Sequence, residues 1–92
     1  MNIQEIAERM EKLDNWSLEG NSITKTFEFE NFKLSLEFVN KVGEIAEEMN
    51  HHPDILINYN RVKLVLITHH AKEITEKDFD VAGKIDLIEK KV

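Results

Sequence analysis

Two pairs of adjacent histidines, His51-His52 and His69-His70, are the residues of this 92-residue chain best suited to chemistry. Imidazole is the side chain whose unperturbed pKa lies near neutrality, so it can give or take a proton at physiological pH. The parts that other chemistries need are missing. There is no cysteine, which excludes disulfides, thiolate metal sites and a cysteine nucleophile together. There is no glycine-rich phosphate loop, no nucleophile elbow and no helix with two histidines four apart. A lone histidine at a helix end is commonly no more than a cation facing the carbonyl end of the helix dipole. The pairing and the setting point further. Both pairs fall where the chain leaves regular structure, which is where sites are built. Glu47 precedes His51 by four residues, so on a continuous helix both face one side, and a carboxylate there orients an imidazole and favours its cation.

The elements that must carry these residues read as follows. Asn2 caps a first helix running to about Lys12, with Ile3, Ile6, Ala7 and Met10 on one stripe. Trp16-Ser17-Leu18 is a short strand and Gly20-Asn21 a hairpin turn. In the next strand Ile23, Phe27 and Phe29 alternate with Thr24, Thr26 and Glu28, so one face is buried. Asn31 caps a second helix over 32–50, with Phe32, Leu36, Val39, Val42, Ala46 and Met49 as its apolar stripe, and Pro53 ends it. Residues 55–59 and 62–69 are two strands joined by a tight turn near Asn60-Arg61. The second of them is apolar on both faces, which calls for a cover on each side. Thr75 and Asp78 form a capping box opening a third helix, with Phe79, Ala82, Ile85 and Ile88 inward. The order is helix-strand-strand-helix-strand-strand-helix. Hairpin-length connections make this an α+β fold, a four-stranded antiparallel sheet with helices packed on one face, as one domain over residues 1–92. Trp16, Phe27, Phe29 and Phe79 are expected in the core, and only Tyr59 among the aromatic residues is a pocket candidate.

Composition narrows the partners. Twelve basic residues stand against 18 acidic ones, a net charge of −6 with no basic block. Direct nucleic-acid binding, which draws on lysine and arginine neutralising phosphates, is not expected, and neither is an anionic membrane surface. The longest aliphatic run, Leu64 to Ile67, is too short to span a bilayer. The first residues lack the basic and apolar regions of a signal peptide, so a cytoplasmic protein is expected. A chain this short gains stability readily by self-association, so a homodimer or homotetramer is expected.

Four ordered blocks carry a resemblance to a known family: Glu47-Glu48-Met49-Asn50-His51-His52-Pro53, Tyr59-Asn60, Thr68-His69 and Thr75-Glu76-Lys77-Asp78. With Trp16-Ser17-Leu18-Glu19-Gly20 and Phe27-Glu28-Phe29 upstream, the chain resembles the pterin-4a-carbinolamine dehydratases from about Trp16 to its C-terminus. The resemblance implies a hydro-lyase that eliminates water from a 4a-hydroxytetrahydropterin to give a quinonoid dihydropterin. It implies His51, His52 and His69 as catalytic histidines, and Glu47, Asn50, Pro53, Tyr59, Lys77 and Asp78 as substrate-binding positions. It also implies no metal and no organic cofactor. Asn50 stands where many members have aspartate, and Lys77 where arginine is frequent; lysine keeps the charge but loses the planar fork. His70 has no role by the resemblance and is read as a surface residue. Two rivals remain. Glu47, His51, His52 and His69 offer imidazole and carboxylate ligands to a metal, without the familiar zinc spacing. Alternatively the fold serves as a non-catalytic protein-binding or dimerisation module, as some relatives do for a transcription factor.

Overall fold

Ile23, Lys25 and Phe27 lie on one face of β2 (Ser22–Glu28), and the register with β4 (Arg61–Leu66) sets them opposite Leu66, Leu64 and Val62. Opposed residues of antiparallel strands share a face, so these six side chains make one buried surface. The computed structural model describes residues 1–89. In chain order the other elements are α1 (Ile3–Glu11), β1 (Ser17–Glu19), α2 (Phe32–Met49), β3 (Asp54–Asn58) and α3 (Glu76–Glu89). All pairings are antiparallel and the sheet order is β1-β2-β4-β3, which leaves β3 at an edge. The α+β architecture and the element order expected from the sequence are both present. No helix among the described residues is long and apolar enough to cross a membrane.

The core joins the buried sheet face to α2 and α3. Phe38 stacks against Phe27 and Phe29 at centroid distances of 4.6 and 5.0 Å, and Phe79, Ala82 and Ile85 are buried from α3. Lys25 is buried on the same face, a position that alternation of apolar residues did not reveal. Its ammonium reaches Asp86 Oδ1 at 2.9 Å, and the same oxygen accepts from Trp16 Nε1 at 2.9 Å. A buried charge is tolerated when it is paired and hydrogen-bonded, so this cluster ties β2 and the approach to β1 onto α3.

Several expected details change. The buried residues of α2 are Ser35, Phe38, Val42 and Ala46, while Phe32 and Leu36 are exposed. The helix is therefore turned from its most apolar stripe, because Phe38 answers Phe27 and Phe29. On α1, Ile6 and Met10 pack on the core, whereas Ile3 and Ala7 face solvent. The β1–β2 turn does use Gly20, whose φ of 58° suits glycine. The β3–β4 turn falls on Tyr59-Asn60, one residue earlier than expected. There Phe29 N–H donates to Asn60 O at 2.8 Å and Asn60 Nδ2 to Phe29 O at 3.1 Å. Strand β4 stops at Leu66, so His69 lies beyond it, in a turn where Thr68 N–H bonds Glu73 O.

Candidate active site

Asn50 decides where the first histidine pair goes. It ends α2 in the left-handed conformation (φ 51°, ψ 43°), which asparagine accepts more readily than most residues. Its N–H bonds Glu47 O, and His51 N–H bonds Ala46 O. These two bonds close a Schellman-type stop. Proline is thus not what ends the helix; Pro53 is buried three residues later, at the start of the run into β3.

The left-handed residue also overturns the helical spacing of Glu47 and His51. His51 has left the helix, so Glu47 Oε2 meets His52 Nε2 at 2.5 Å instead. His51 Nε2 meets Asp78 Oδ1 at 2.6 Å, across to the first turn of α3. Each imidazole thus has its own carboxylate. The two pairs differ in setting: Asp78 is fully buried and His51 nearly so, whereas His52 and Glu47 are exposed. A carboxylate out of water holds its partner far more firmly than one in solvent.

His51, His52, His69 and His70 then share one hollow of about 400 Å³, completed by Asn50, Ile67, Thr68 and Lys77. That size falls within the range of small-ligand sites. Asp78 stands behind it. Ile67 and His70 were not expected in this lining, and Thr68, though part of the block Thr68-His69, was given no site role from the sequence. A second hollow of about 380 Å³ lies between α1 and α3, lined by Arg9, Lys12, Phe79 and Lys84 among others. Its guanidinium is already engaged by Glu76, Asp80 and the Phe79 ring, and no histidine reaches it, so it is not where proton transfer belongs. Tyr59 is not brought to the histidines within this chain. It sits exposed at the far end of β3, six residues of extended strand or about 20 Å from Pro53. Among the described residues no three histidine or carboxylate side chains converge as a metal-ligand set.

Residues 1–88 match the family model described as pterin 4 alpha carbinolamine dehydratase. The chain belongs to that family. A relative from Sulfolobus acidocaldarius, provisionally named a pterin-4-alpha-carbinolamine dehydratase, is 51% identical over 85 residues, covering 92% of this chain and 93% of that one. One from Sulfurisphaera tokodaii, named in the same way, is 52% identical over 83 residues, covering 90% and 89%. The crystal structure of a transcriptional coactivator/pterin dehydratase from Brucella melitensis superposes with a TM-score of 0.90 at 33% identity, covering 96% of each chain. A pterin dehydratase-like protein described as a RuBisCO assembly factor in the alpha-carboxysome gives a TM-score of 0.70 at 20% identity, covering 82% of this chain and 89% of that one. That last likeness speaks for the fold alone. Membership in the pterin-4a-carbinolamine dehydratase family carries an enzyme class with it, that of a hydro-lyase.

Proposed function

We propose that this protein dehydrates a 4a-hydroxytetrahydropterin by histidine general acid/base catalysis. The elimination breaks the C4a–O bond, the departing hydroxyl takes a proton and leaves as water, and N5 gives up its proton as the N5=C4a double bond forms. No electron is gained or lost. The reaction asks for one acid and one base around a small pocket, and His51, His52 and His69 supply three imidazoles without metal or organic cofactor. The observation that carries the reading is the pair of carboxylate-held imidazoles, His51 on Asp78 and His52 on Glu47, opening on one hollow with His69. Asn50 and Lys77 at its rim are assigned to the substrate's polar edge, with Pro53 fixing the chain behind His52.

Tyr59 enters the pocket, in this proposal, from a second copy. Strand β3 is an edge strand whose centre, Ile55-Leu56-Ile57, carries no charge to deter pairing. Antiparallel pairing of two such edges about Leu56 sets Ile55 opposite Ile57 and Tyr59 opposite Pro53, beside His52. A homodimer so built brings to each pocket the aromatic residue its own chain holds away.

The test is to mix the purified protein, with chelator present, with freshly generated 4a-hydroxytetrahydropterin and follow its ultraviolet decay. Decay well above the spontaneous rate is expected, and a His51→Ala/His69→Ala double variant should lose it, each residue being worth roughly 100- to 10,000-fold. No acceleration between pH 6 and 9 would overturn the proposal.

A further inference from the structure

We infer that Thr68 and Thr75 are positioning residues: their hydroxyls form a one-directional hydrogen-bond chain that holds Asp78, and through it fixes the His51 proton on Nε2 and offers Nδ1 to the hollow. The inference deepens the proposed reaction and rests on it only for its rate effects.

The donors along this chain can be counted. Asp78 Oδ2 lies 2.9 Å from Thr68 Oγ1 and 2.9 Å from the backbone nitrogen of Thr75. Thr68 Oγ1 lies 2.6 Å from Thr75 Oγ1, and the backbone nitrogen of Lys77 lies 3.3 Å from Thr75 Oγ1. An ionised carboxylate only accepts, and a hydroxyl has one proton to give. Thr68 therefore spends its proton on Asp78, so the bond between the hydroxyls is donated by Thr75. Thr75 in turn accepts from Lys77 N–H. The chain runs one way, from the first turn of α3 through both hydroxyls into the carboxylate, with no proton left over.

The other carboxylate oxygen, Oδ1, meets His51 Nε2. An ionised carboxylate has no proton to give, so in this bond Nε2 is the donor and Oδ1 the acceptor. Nδ1 makes no hydrogen bond among the described residues. Among the described residues no buried side-chain nitrogen or oxygen lacks a partner, so Nδ1 is open to solvent and to a ligand. Thr68 is 1% and Asp78 0% exposed, which leaves the carboxylate no water to replace a lost donor. Thr68 follows β4, Asp78 opens α3 and His51 leaves α2, so three elements converge on one carboxylate.

A plain capping role for this cluster makes a different forecast. Thr68→Val removes the hydroxyl at nearly constant shape and leaves the Thr75 N–H cap on Asp78 intact. If the cluster only caps α3, stability falls and kcat stays. For positioning, kcat falls about 10- to 100-fold with KM within about twofold, the range known for outer-shell partners of imidazoles, and Thr68→Ser restores it. A second readout needs no substrate. In the 15N-labelled protein the neutral His51 ring should carry its proton on Nε2, seen as a slowly exchanging imidazole N–H resonance. That resonance should vanish into solvent exchange in Thr68→Val and return in Thr68→Ser. Should Thr68→Val fail to fold, Thr75→Ala at a half-buried position removes the donor behind Thr68 while Thr68 still reaches Asp78, and should give a smaller loss in the same direction. A proton found on Nδ1, or an unchanged resonance and kcat in a folded variant, overturns the inference. The resonance behaving as described in a protein with no dehydratase activity would keep the network and discard the reaction.

Discussion

His51 and His52 are neighbours in the chain and opposites in circumstance. Asp78 accepts three donors with no access to water, while Glu47 and His52 meet in solvent. Removing a buried acceptor strands its donors, which costs about 1–3 kcal/mol; exposed pairs contribute a few tenths. Asp78→Asn, which turns an amide N–H₂ toward existing donors, is therefore expected to lower stability by about 1–3 kcal/mol in urea denaturation. Glu47→Ala should stay within about 0.5 kcal/mol. Equal losses in the two variants would show that burial does not separate the pairs. The candidate histidines were legible in the sequence because residue type is local. Their partners were not, since the pairing of Glu47 with His52 follows from one left-handed residue.

At the scale of the element, the end of α2 is the part on which the site turns. Asn50 occupies a backbone region that costs ordinary residues about 1–2 kcal/mol and glycine little. Asn50→Gly is expected to leave the denaturation midpoint nearly unchanged. Asn50→Val should lose about 1–2 kcal/mol and lower kcat as well, because it swings His51 away from Asp78. Full activity in a destabilised Asn50→Val would uncouple the helix stop from the site. The start and length of α2 were readable from Asn31 and the apolar period, but its rotation was not. Phe32 and Leu36 fit the stripe and lie exposed, whereas Ser35 is buried. Periodicity gives an apolar arc some residues wide, and the partner it meets, here Phe27 and Phe29, selects the line within it.

For the whole molecule the question is what covers the edge of the sheet. Leu56 is 54% exposed on a strand with a free side. Leu56→Lys would place two ammonium groups opposite each other at the proposed twofold, where like charges oppose pairing. Sedimentation velocity should then show the wild type as a dimer or larger and the variant shifted to monomer, with its kcat reduced by the loss of the second copy's Tyr59. A monomeric wild type that is fully active would remove Tyr59 from the pocket.

The sequence by itself determined the element order, the antiparallel pairing and the family, because each depends on short-range period, turn chemistry or local motif. Tertiary structure alone decided that Lys25 is buried against Asp86, that His51 answers to Asp78 from 27 residues away, and that Tyr59 stands far from the histidines. Those are contacts between elements. A side chain's partner across the fold depends on how helices are rotated and strands registered against one another, and no pattern within a single element records that.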